Sequence, residues 1–278
     1  MSALIDPREF TRTVDLLRDF FKARGFLEVH TQNRLSILAA CEDPTTVATF
    51  DYAGQVWPLP QTGQMWLEWE LLRDPALKGL FCVSTSYREE PNPIPGRHDL
   101  IFPMFEFEMP GDFEDLLELE KELCRHLKLE EPYGQIDYAD AARQCNVKEL
   151  EAEHEEWLCK EKKVVFLTNF PIYTSPFWNM KKSAELSKKV DVLIHGIETI
   201  GSAERSTNPD EMRDQFRTIS NGMYAQTLYA KFGKDRVERE LDDFLKFKFF
   251  PRVGGGIGVT RLISGLRKEE WKDNKNVP

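Results

Sequence analysis

Residues Thr85–Glu108 read TSYREEPNPIPGRHDLIFPMFEFE. A strand-like run ends at Arg88, a loop broken by prolines carries Arg97 and His98, and a second run starts at Ile101 in which aromatic and acidic residues alternate. Alternation with a period of two predicts a strand whose two faces meet different surroundings. Two such strands and their loop place two guanidinium groups and the face of Phe102 around one concavity. That chemistry suits a nucleotide, because guanidinium groups grip phosphate oxygens through paired hydrogen bonds and an aromatic ring stacks on a base. Taken alone, the stretch fits an ordinary hairpin with exposed arginines better.

Outward from this stretch, helical and strand signals alternate. Asp6-Pro7-Arg8-Glu9 offers a cap, a proline at the first helical position and an acid two residues further on, and apolar residues recur at Phe10, Val14, Leu17, Phe20 and Phe21. This predicts an amphipathic helix ending near Gly25. A strand at GFLEVHT, a hairpin over 50–59 around Ala53-Gly54, a helix over 61–72 and a strand over 79–88 follow. Residues 112–129 have helical spacing and dense charge. About 130–163 reads as an acidic, helical peripheral element, where His154 between Glu153 and Glu155 lacks the spacing of a metal site. Strand and loop are expected in KKVVFLTNFPIYTSPFW, another strand in KKVDVLIHGIETIGSAERS, two helices over 208–246, and a glycine-rich turn at GGGIG entering a final helix.

The 278 residues, 41% of them hydrophobic, suffice for a substantial core. Net charge is −10 and the pI is near 5.2, unlike the basic field that accompanies nucleic-acid binding. No apolar run is long enough to span a membrane and MSALIDPREF is no signal peptide, so the expected location is cytoplasmic. Cys41, Cys82, Cys124, Cys145 and Cys159 form no Cys-x-x-Cys pair and read as buried thiols.

Two further constellations bear chemistry. In Gly254–Arg261, GGGIGVTR, glycines let backbone approach a ligand, and an arginine follows inside the first helical turns. It is neither a dinucleotide fingerprint nor a phosphate loop. In 191–205, Glu198 is a candidate ligand for nucleotide-bound magnesium and Arg205 a candidate clamp for an anionic group.

In this order these elements resemble the catalytic domain of class II aminoacyl-tRNA synthetases, aspartyl and asparaginyl branch. The resemblance covers almost the whole chain. It implies an α/β chain of the α+β type, a mainly antiparallel sheet flanked by helices, as a single catalytic domain over 1–278. SYREE is similar to the family's second motif, which implies Arg88 on the α-phosphate and Glu90 near adenine. GRHDLIFPMFEFE resembles its continuation, implying Arg97 toward the γ-phosphate with His98 beside it in the ATP site, Phe102 on adenine, and Glu106 and Glu108 in acidic positions. GGGIGVTR resembles the third motif, with Gly258 and Arg261 at the triphosphate. IETIGSAER implies Glu198 on magnesium and Arg205 on the substrate side chain. QTGQMWLEWELL resembles the asparaginyl amino-acid pocket, with Gln64 and Glu68 in it.

Gln32 stands where the family's first motif has a proline, Thr260 replaces an acid before Arg261, and the sequence shows no pattern of an anticodon-binding barrel, so none is expected. With the acidic pI, this favours an adenylating enzyme that does not charge tRNA. Stand-alone asparagine synthetases within the family fit best. The resemblance then implies ATP and Mg2+ as cofactors, aspartate and ammonia as substrates, no nucleic-acid or membrane partner, and a homodimer. The expected reaction forms asparagine and AMP through a β-aspartyl adenylate, with Arg88, Arg205 and Glu68 catalytic and Glu68 orienting ammonia. Its alternatives are transfer to another amine, protein or metabolite, a truncated tRNA synthetase, and a non-catalytic paralogue.

Overall fold

The computed structural model describes residues 5–31, 35–39, 43–91 and 99–269. Gln32, Arg97 and His98 lie outside them. Helix α1 (Pro7–Ala23) starts as the sequence predicts, with the Asp6 carboxylate accepting from the backbone N–H of Arg8 and Glu9. Strand β1 (Leu27–Glu28), helix α2 (Ser36–Ala39) and the hairpin β2 (Thr49–Tyr52) and β3 (Gln55–Pro58) lead to α3 (Gln64–Arg73). Then come β4 (Leu80–Tyr87), β5 (Ile101–Pro110) and α4 (Phe113–His126). The segment read as helical and peripheral opens instead with a strand, β6 (Gly134–Asp137), before α5 (Tyr138–Gln144) and α6 (Ala152–Leu158).

Beyond it lie β7 (Val164–Pro171), β8 (Lys182–Ser183), β9 (Leu186–Ile194) and β10 (Ile197–Glu204). Where one strand was expected in the 188–206 stretch, β9 and β10 form a hairpin, because His195 and Gly196 both take positive φ, 51° and 77°. Three helices, α7 (Pro209–Thr218), α8 (Met223–Phe232) and α9 (Lys234–Leu245), replace the two expected. The chain closes with β11 (Arg252–Gly258) and α10 (Val259–Lys268).

The sheet runs β1-β4-β5-β11-β10-β9-β7-β6, with β8 on β9. Only the outer pairs β1·β4 and β6·β7 are parallel, so the sheet is mainly antiparallel and helices cover it, as expected. The glycine-rich stretch is no turn: β11 is a central strand between β5 and β10. Its neighbours dictate the glycines, since a Cβ at Gly254 would run into the Glu108 carboxylate and the Phe107 carbonyl, and one at Gly255 into Ser202.

The alternation in β5 now has its physical cause. Phe105 and Phe107 point to the face packed by α1, α4 and α10, where Phe81 and Phe105 stack with centroids 5.1 Å apart and Phe21 lies 5.2 Å from Phe105. Glu106 and Glu108 point to the other face. Among the described residues no helix is long and apolar enough to cross a membrane. Of the described cysteines, Cys82, Cys124 and Cys159 are buried thiols as expected, but Cys145 is only half-buried; burial pushes Cys159 up to about 11.

One carboxyl lies in the core beneath the sheet. Glu120 on α4 is fully buried, and burial pushes it up to about 8 against a smaller opposing pull from Ser202. In the unfolded chain it ionises near 4.5. Between those values the unfolded state releases a proton that the folded state keeps, so stability falls as pH rises through that window, by about 1.4 kcal/mol per pH unit. Glu120→Gln is expected to remove this loss. Urea midpoints should coincide with those of the unmodified protein near pH 4.5 and exceed them at pH 8. The same pH dependence in both proteins would place the proton elsewhere.

Candidate active site

Above the acidic face of β5 lies a cavity of about 770 Å³, floored by β5, β11 and β10 and walled by the start of α3, the loop after β4 and α6. Its floor is flat where β11 has glycines, because side chains there would fill it. Glu106 ties floor to wall: its carboxylate accepts from the backbone N–H of Gly63 at 2.8 Å, from Ser84 Oγ at 2.6 Å and from the Thr62 hydroxyl.

At one end stand the residues expected around a nucleotide. The backbone N–H of Arg88 donates to Leu100 O at 2.8 Å, which fixes the residue at the mouth of the β4–β5 loop. The Arg88 guanidinium carbon lies 5.5 Å from the Phe102 ring centroid, and its Nε is buried without a hydrogen-bond partner. A cation's N–H donor that is itself buried and left unmatched is costly unless something anionic meets it. Glu90, Glu198, Gly258 and Arg261 line the same cavity. Arg261 Nη1 donates to Glu198 O at 3.0 Å and sits 3.4 Å from Glu198 Oε2, with both side chains about two-fifths exposed.

The other end is built from buried charges. Arg205 Nη2 lies 3.3 Å from Glu108 Oε2 and donates to Gly254 O at 3.0 Å. Gln64 Nε2 donates to Phe107 O at 3.0 Å and to the same Glu108 carboxylate. These two acceptors fix the amide's orientation and leave Gln64 Oε1 buried without a partner. Burial pushes Glu108 up to about 7 in spite of Arg205 beside it. Gln64 and Arg205 both line the cavity.

Glu68 is placed differently from the expectation that it orients ammonia. Its carboxylate is fully buried behind the wall and outside the cavity lining. Oε2 accepts from Arg252 Nη2 at 2.7 Å and Nε at 3.1 Å, and Oε1 from Asn179 Nδ2 at 2.7 Å. The physical reason is burial: an anion there needs a buried cation, and Arg252 supplies it.

Sequence reasoning brought Arg88, Glu90, Phe102, Gln64, Glu198, Arg205, Gly258 and Arg261 to one cavity. It missed Arg252, which the sequence does signal by setting a lone charge at the head of an apolar, glycine-rich strand. It also missed Lys189 of β9, and Glu155 and Glu156 of α6, the last two reaching the cavity from the segment read as peripheral.

The family description tRNA synthetases class II (D, K and N) matches residues 8–271. The mouse cytoplasmic asparagine–tRNA ligase is 27% identical over 90% of this chain and 48% of its own length. The aspartate–tRNA(Asp/Asn) ligase of Methanopyrus kandleri is 23% identical over 91% and 62%. The chain thus spans about half to two thirds of the length of these relatives. The asparaginyl-tRNA synthetase of Pyrococcus horikoshii complexed with asparaginyl-adenylate superposes with a TM-score of 0.76 at 22% identity, covering 94% of this chain and 64% of that one. The expectation that no nucleic acid is a partner is overturned by these relatives, which are tRNA ligases. It had rested on net charge, an average that does not report the local surface an RNA meets. The chain belongs to the class II tRNA synthetase family of the D, K and N type.

Proposed function

We propose that the cavity activates aspartate with ATP, and that ammonia then takes the aspartyl group to give asparagine and AMP. The supporting observation is the pairing of Arg205 with the unmatched Gln64 Oε1 through their shared Glu108, all remote in sequence. A cation beside an unmatched acceptor suits a carboxylate and an ammonium of one small zwitterion. Aspartate has two carboxylates. With one held at Arg205, the other reaches the α-phosphorus, where its oxygen forms the new P–O bond and pyrophosphate leaves. Arg88 and Arg261 stabilise the charge that develops on phosphorus, and the reaction needs no covalent enzyme intermediate. Ammonia attacks the acyl carbon of the mixed anhydride, loses a proton and expels AMP.

Glu198 would hold the magnesium that accompanies ATP. The fit rests on its hard oxygen donors: Glu198 Oε1 and Asp191 Oδ1 each approach within 3.5 Å of the point a Cβ on Gly201 would occupy, and magnesium with a nucleotide uses one or two carboxylates. When bound, the ion neutralises phosphate charge.

The test is ATP–pyrophosphate exchange by the unmodified protein with aspartate, followed by addition of ammonium or of tRNA. Exchange with aspartate and asparagine formation with ammonium are expected. Exchange with neither aspartate nor asparagine overturns the reading. Transfer to tRNA alone moves the acceptor to RNA, the second reading, which the relatives' activities favour.

A further inference from the structure

We infer that Arg252 is a specificity-determining residue, which by neutralising Glu68 sets the Arg205 end of the cavity to receive a carboxylate in preference to an amide. The inference rests on the proposed function and concerns which amino acid the site takes.

Four charges share this buried end: Arg205, Arg252, Glu68 and Glu108. Glu68 Oε1 lies 3.5 Å from Arg205 Nε, close enough to compete for that guanidinium. Arg252 holds the other oxygen of that carboxylate and offsets its charge. It donates twice to Glu68 Oε2, its Nη1 is anchored on Ser206 O at 3.1 Å, and its guanidinium lies 5.0 Å from the Phe249 ring centroid. It is also 4.0 Å from Glu108 Oε1 and takes no part in the lining of the cavity.

With Arg252 present, two cations face two anions. Without it, Arg205 alone would face two carboxylates, and the surplus negative charge would repel a substrate carboxylate while favouring the N–H groups of an amide. Burial raises Glu108 against the pull of Arg205, which weakens its own claim on that guanidinium. The sign of the pocket is therefore set mainly by whether Glu68 is neutralised. Whichever of its carboxylates is activated, aspartate presents the other to Arg205, but asparagine activated at its α-carboxylate presents an amide.

The experiment measures kcat/KM for ATP–pyrophosphate exchange with aspartate and with asparagine in three proteins. The unmodified protein should prefer aspartate. Arg252→Met should lower the aspartate-to-asparagine ratio by about tenfold or more, the scale of one charge-assisted contact. Glu68→Gln, which keeps Arg252 and removes the anion, should raise the ratio, so the two variants move it in opposite directions. Should Arg252→Met fail to fold, Glu68→Gln decides alone: a lowered ratio overturns the inference, and so do equal losses for both amino acids. A folded Arg252→Met with an unmoved ratio, or an unmodified protein that prefers asparagine, also overturns it while leaving adenylation intact. Exchange with neither amino acid in the unmodified protein overturns the functional reading and the inference together.

Discussion

Arg88→Ala is expected to lower aspartate-dependent ATP–pyrophosphate exchange by roughly a hundredfold or more, the scale of a preorganised charge contact in a sheltered site. Arg88 is fixed by its backbone bond to Leu100 and set over Phe102, and its Nε donor has no partner. Among the described residues its guanidinium makes no hydrogen bond or ion pair that would tie another element in place. Substitution should therefore leave the thermal midpoint nearly unchanged while turnover collapses, which separates a chemical role from a structural one. Exchange rates with saturating ATP and aspartate, alongside a melting curve, make the test. Near-normal exchange would mean that the triphosphate does not lie at this end of the cavity.

Arg205→Ala should act on two observables at once. It removes the cation that is proposed to hold the substrate carboxylate, so kcat/KM for aspartate should fall by about a hundredfold or more, mostly through KM. It also strands Glu108, and removing one partner of a buried ion pair typically destabilises by about 3–5 kcal/mol. Part of that cost is relieved when Glu108 takes up a proton, since burial already raises it to about 7. Exchange measured against aspartate concentration separates the two effects, and calorimetry gives the stability. A protein that melts earlier but keeps its KM for aspartate would show Arg205 to be a structural strut and not a substrate clamp.

Much of the architecture was legible in local pattern. The cap at Asp6, the helical spacing of α1 and α4, and the alternation of Phe and Glu in β5 are short-range signals that burial then rewards. The phosphate-end arginines were legible too, because each stands where a strand or a glycine run ends. Strand β11 was not. Three successive glycines have no side-chain period to read, and their extended backbone is imposed by β5 and β10 on either side.

Glu68 shows the boundary most clearly. The sequence determines that a glutamate lies on one face of α3 and that an arginine precedes the last glycine run, and both follow from residue order alone. Only the tertiary structure joins them, across 184 positions, at 2.7 Å. No local spacing reports such a pair, since the cation is recruited by the burial of the anion and by the sheet that brings the two together. Whether a carboxylate faces the cavity or is neutralised behind its wall is decided at that level, because the sum of neighbouring charges depends on distances that chain order does not contain.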